Sequence, residues 1–92
     1  MKPKALPPLS SLAKTVVVDG LYQHYKGFEY KVLAVARHSE TLEELVVYQA
    51  LYGEKGIWVR PLAMFVENVI IEGKSQPRFS YVEDQQNRTY TP

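Results

Sequence analysis

The chain has 92 residues, 46% hydrophobic and 23% charged; at about 150 residues per domain, this composition excludes both a two-domain architecture and a disordered chain. Cysteine is absent, which removes disulfides, thiolate metal centres and cysteine nucleophiles together. The net charge of +1 is unevenly spread: residues 1–19 set three lysines against Asp19, residues 20–82 balance seven Lys or Arg with seven Glu, and residues 83–92 are net acidic. The foldable middle therefore lacks the basic excess that displaces counterions from nucleic acid.

Residues 1–19 read as a flexible arm, because Pro3, Pro7 and Pro8 remove backbone donors and favour extended geometry. Whether its leucines dock on the domain is open. The β-branched run 15–18 is either a short strand or a lead-in. The same prolines interrupt any signal-peptide core, and no 18-residue apolar run follows, so a cytoplasmic location without membrane contact is expected.

Residues 21–25 and 28–38 then form a hairpin around Gly27, which suits the left-handed position of a three-residue loop. That register sets Tyr22 opposite Tyr30 and His24 opposite Phe28. On the second strand, Phe28, Tyr30, Val32, Ala34 and Ala36 share one face, while Leu33 and Val35 interrupt the other. Apolar residues on both sides of its centre predict a curled sheet.

Residues 45–52 read as the next strand, from Val46, Val47 and Tyr48. A helix over 41–48 is the rival, with Thr41 and Glu44 spaced as a capping box over an open antiparallel sheet. Residues 53–56 make a turn, and 57–60 a short strand halted by Pro61. Leu62 and Phe65, three apart, predict one helical turn facing the core. Residues 66–72 return to extended structure, Gly73 turns the chain, and 78–82 follow Pro77, which implies an edge. Residues 83–92 read as a disordered tail. The sum is an all-β fold: a small SH3-like barrel of five to six short antiparallel strands over 20–82, with one 3-10 or helical turn.

Residues 20–27 (Gly-Leu-Tyr-Gln-His-Tyr-Lys-Gly), 36–41 (Ala-Arg-His-Ser-Glu-Thr) and Trp58-Val59-Arg60-Pro61-Leu62 with Met64-Phe65 resemble a family of short bacterial domains of unknown function. The resemblance implies a compact β domain and brings no catalytic residue, substrate or cofactor. The stretch 56–61 is also similar to the late portion of SH3-like modules, an analogy of fold alone.

His24 and His38 lie about ten extended residues apart on the predicted strands, so they share no metal ion, and no cofactor is expected. The cluster Arg37-His38-Ser39-Glu40-Thr41 holds the groups of a hydrolase, but neighbours on an extended chain point to opposite sides. Its ordinary reading is a strand end bonded to its own loop. The eleven aromatics are more than a small core readily hides. The leading expectation is thus a non-catalytic module that recognises a peptide or protein through an aromatic groove. Tyr22, Tyr48 and Trp58 would be its stacking surfaces, with His24, Arg37, His38, Glu40 and Arg60 as polar contacts. Binding of single-stranded nucleic acid or a nucleotide is the second reading, and a small-substrate enzyme using His38 and Glu40 the third. The oligomeric state is open.

Overall fold

The computed structural model describes residues 6–82. A 3-10 turn (Ala13–Thr15) is followed by β1 (Leu21–His24), β2 (Glu29–Arg37), β3 (Glu44–Ala50), β4 (Ile57–Pro61), a one-turn helix α1 (Leu62–Phe65), β5 (Asn68–Ile71), β6 (Lys74–Pro77) and β7 (Phe79–Tyr81). One antiparallel sheet has the order β4-β3-β2-β1-β7, and β5 and β6 form a second. The expected all-β class is what forms. The expected tail over 83–92 lies outside the described residues.

The first hairpin takes the register that Gly27 favours. Its φ of +103° needs no side chain, its N–H donates to the His24 carbonyl at 2.7 Å, and Tyr22 lies opposite Tyr30. The helical rival over 41–48 is not formed. Thr41 Oγ1 accepts from the Glu43 N–H at 3.1 Å and closes a turn, while Leu42 has φ +65°, a conformation no right-handed helix contains. Glu44–Ala50 pairs with strands on both sides, so both its ladders are satisfied.

A bulge corrects the expected face of β2. Val32 pairs with Tyr48 and Ala34 with Val47, which leaves Leu33 as an extra residue. The inserted residue shifts the alternation by one. Beyond it Val35 packs towards the core opposite fully buried Val46, in the place expected for Ala34 and Ala36. The second correction is β6. Glu72 and Gly73, with φ +51° and +81°, make a two-residue turn that pairs Ile71 with Lys74. Pro77 sits in this two-stranded sheet opposite Asn68. Arg78 then turns the corner between sheets, donating its N–H to the Glu67 carbonyl and accepting from the Tyr25 N–H.

Three strand spacings of about 4.8 Å would hold β3 and β7 roughly 14 Å apart in a flat sheet. The rings of Tyr48 and Phe79 are 5.4 Å apart, so the sheet is tightly curled. Its hydrogen-bonded order nevertheless ends at β4 and β7. The closed ring of the SH3-like barrel is therefore not completed by backbone pairing among the described residues. Side chains bridge the seam instead: Leu62 and Phe65 of α1 are buried as their spacing predicts, and Phe65 stacks on Phe79 at 4.3 Å and 7°.

The described part of the N-terminal segment is docked. Ala13 and Val16 belong to the buried core and Leu9 packs against it, so the flexible reading does not hold for 9–16. Ser10 is the clasp. Its N–H and hydroxyl donate to the two carboxylate oxygens of Glu44 at 2.8 and 2.6 Å, and its Oγ accepts from the Ala13 N–H at 3.0 Å. Arg37 donates to the Pro7 carbonyl beside it.

Phe65→Ala is expected to cost about 3–5 kcal/mol, because it opens a cavity beneath the ring stack, whereas Trp58→Ala, at a side chain 58% exposed, should cost about 0.5 kcal/mol or less; urea unfolding measures both. The Ser10 hydrogen bonds hold the Glu44 carboxyl below its ordinary value of 4.5. Their stabilising effect is present above pH 4.5 and is lost as pH falls through the lowered value. The protection factor of the Ala13 amide, its exchange rate relative to the unstructured rate at the same pH, should therefore fall in acid, and Glu44→Gln should remove that acid dependence.

Candidate functional site

Phe79 is the hinge of a continuous chain of rings running from the core to the surface. Inside, it touches Phe65 and Tyr48. Outward, Tyr30 lies 5.6 Å from Phe79 and 5.4 Å from Tyr48. Tyr52 follows at 5.5 Å from Tyr30, and Phe28 at 4.8 Å from Tyr52. Phe28 and Tyr52 are exposed while Phe79 is buried, so the series forms a ramp. The edge-on geometries suit the quadrupoles of the rings, and the Tyr30 and Tyr52 hydroxyls share a hydrogen bond. Burial first, then that bond and the neighbouring phenols, push the Tyr30 hydroxyl up to about 12.

Arg60 and His24 stand at the mouth. Arg60 is the last residue of β4 before Pro61, and it shares a sheet face with Trp58 and Tyr48. Its Nε donates to the Tyr48 hydroxyl at 3.3 Å, and its guanidinium carbon lies 5.9 Å from the Phe79 ring centre. Among the described residues the ion pairs are Lys31–Asp19 and Arg78–Glu67, so no carboxylate is paired with Arg60. His24 packs its ring 5.0 Å from Phe79 and 4.4 Å from Tyr25, while its Nδ1 accepts from the Lys26 N–H at 3.2 Å. Burial lowers its pKa, and the positive charges of Arg78, Lys26 and Arg60 lower it further. The mouth is thus cationic on an aromatic floor.

The expected stacking surface is corrected in two of its three members. Tyr22 and Tyr48 are each only 6% exposed. Their hydroxyls meet polar partners inside the fold, the Val17 N–H at 2.9 Å and Arg60 Nε, which lets both rings stay in the core. Trp58 is the exposed one, its indole folded back over Gly56. Arg37 is turned to Pro7. His38 and Glu40 are exposed in the β2–β3 turn, where His38 Nδ1 accepts from the N–H groups of Glu40 and Thr41 at 3.0 and 3.3 Å and Glu40 accepts from Ser39 at 3.1 Å. The structure therefore gathers His24, Tyr48, Trp58 and Arg60 from the expected set and adds Tyr30, Tyr52, Phe28 and Phe79. Phe79 had no local signal, since only the pairing of β7 with β1 brings it beside His24.

Among the described residues no three His, Asp or Glu side chains converge as metal ligands, and no helix is long and apolar enough to cross a membrane. A depression of about 360 Å³ lies at the seam where the arm docks, lined by Ser10, Leu12, Glu43, Glu44, Leu62 and Ala63. No basic side chain lines it, and Glu44 is committed to Ser10.

Fold and mouth together define a small all-β domain with an aromatic core that opens at one cationic rim. Residues 20–81 match the family described as "Protein of unknown function (DUF1653)", and the chain belongs to that family. A crystal structure of a DUF1653 protein from Bordetella bronchiseptica is similar at 41% identity and a TM-score of 0.66, over 74% of this chain and 90% of that one. No curated protein matches the sequence.

His24 gives the mouth a pH signature. Because its folded pKa lies below 6.5, the unfolded chain takes up the proton first, and stability present above pH 6.5 is lost as pH falls through the lowered folded value. The thermal midpoint should decline from pH 6.5 to 5, and His24→Gln should flatten that decline.

Proposed function

We propose that this domain is a non-catalytic binding module that takes a carboxylate-bearing stretch of a peptide or protein at the Arg60 mouth. The observation that carries the reading is the guanidinium of Arg60. It is anchored by the Tyr48 hydroxyl and the Phe79 ring, set beside a second nitrogen base, and left without a carboxylate among the described residues. A guanidinium so held offers its remaining N–H groups in a fixed fork, the geometry that recognises carboxylates. The exposed rings of Phe28, Tyr52 and Trp58 supply apolar surface for the rest of the ligand.

The competing classes have less support. A phosphate backbone needs several cations in a row. Arg37, the second arginine offered for that role, is occupied by Pro7. For an enzyme, His38 and Glu40 would need to meet a substrate, but both are engaged with the backbone or side chains of their own turn.

A capped pentapeptide of alternating glutamate and valine is a suitable probe, since alternation puts all its carboxylates on one face. Binding, followed by amide shifts around Arg60 and His24, is expected with a Kd of about 10 µM to 1 mM, the range of a few polar contacts and a small apolar area. Arg60→Ala should weaken it about 10- to 100-fold, the worth of a charged hydrogen bond, as should replacing glutamate by glutamine in the probe. Equal affinity of all three combinations, with the fold intact, would remove the reading.

A further inference from the structure

The backbone of β4 is laid out to receive another strand. The Ala50 N–H donates to the Gly56 carbonyl at 2.9 Å, which makes 50 and 56 a hydrogen-bonded pair of the antiparallel ladder. Such pairs alternate. With the unbroken register of Tyr48 against Trp58 and Val46 against Arg60, Trp58 and Arg60 bond inward to β3. Ile57 and Val59 therefore turn their N–H and C=O groups outward, and the sheet order places no strand there. Among the described residues, two donors and two acceptors stand free along this edge.

The side chains of that edge are equally open. Ile57, Trp58 and Val59 are 60%, 58% and 56% exposed, three apolar residues in succession without a charge, proline or bulge among them. Proteins usually blunt a free edge with one of those devices. The β5–β6 sheet does so, with Lys74 and Pro77 on β6. β4 carries its proline only at the end, at Pro61, and its cation at Arg60 faces the aromatic mouth.

We infer that β4 binds its ligand by strand addition, with an extended acidic segment of another protein pairing to Ile57 and Val59 and placing a carboxylate opposite Arg60. The inference rests on the binding reading above and specifies its mode. In such a complex alternate side chains of the ligand lie over Trp58 and Arg60, and the others against Ile57 and Val59, so that backbone pairing supplies affinity and Arg60 supplies selectivity. Charge decides the occupant. If a second copy paired antiparallel about Trp58, Gly56 of that copy would face Arg60, and the guanidinium would stay unanswered. An acidic strand answers it.

Hydrogen exchange on the full chain with the glutamate–valine pentapeptide tests the mode separately from the binding. At 90% occupancy the amides of Ile57 and Val59 should exchange about tenfold more slowly, while those of Trp58 and Arg60, already bonded to β3, should change little. N-methylation of the probe nitrogens in one alternating phase should abolish binding, and methylation in the other phase should leave it intact. Arg60-dependent binding without protection of Ile57 and Val59, or with equal tolerance of both methylation phases, overturns strand addition and leaves the binding reading standing. Protection that grows with protein concentration in the absence of probe overturns it in favour of a second copy. No binding of the probe sinks both.

Discussion

The stack of Phe65 on Phe79 is the contact on which the remaining geometry depends. Phe65 comes from the helical turn after β4, and Phe79 from the last described strand. Their parallel contact at 4.3 Å holds together the two ends of a sheet whose backbone ladder, among the described residues, stops at β4 and β7. A ladder closed by hydrogen bonds would need no such contact. Here dispersion and apolar burial between rings do what pairing does not, and the stack brings Tyr48, Tyr30, Arg60 and His24 around one buried ring.

Closure by side chains has a consequence for chemistry. Because β4 has a partner on one side only among the described residues, its apolar residues and its outward backbone groups stay at the surface there. The cation on the same strand is held by an aromatic wall, with no carboxylate paired to it among the described residues. Among the described residues, unused backbone hydrogen-bonding capacity at Ile57 and Val59 and the unpaired charge of Arg60 thus lie on one short strand whose position is set from the core.

Much of the local architecture was legible from residue types. The Gly27 hairpin register, the strand at Val46 to Tyr48 and the core-facing pair Leu62 and Phe65 each followed from a local rule, and each is present. Two elements escaped for physical reasons. The bulge at Leu33 depends on how β2 pairs with β3, which no alternation pattern encodes, and it exchanged Ala34 and Ala36 for Val35 at the core. The docked arm depends on Glu44 lying within reach of Ser10, residues 34 apart in the chain. Prolines indicate extended backbone and say nothing of whether it is held.

The site divides along the same line. Sequence by itself determined the chemistry on offer: many rings, two histidines, no thiols, and a middle segment of balanced charge. It also showed that Arg60 follows an apolar strand and precedes a proline. Which tyrosines reach solvent was decided only by tertiary structure, because a phenol is buried or exposed according to whether its hydroxyl finds a partner inside. Tyr22 and Tyr48 found Val17 and Arg60 and went to the core, while Tyr52 found its partner in the half-buried Tyr30 and stayed at the rim. Tertiary structure likewise set Arg60 beside Phe79, 19 positions further along the chain, with no carboxylate partner among the described residues. Contacts of that range come from the curl of the whole sheet, and no local stretch of sequence contains them.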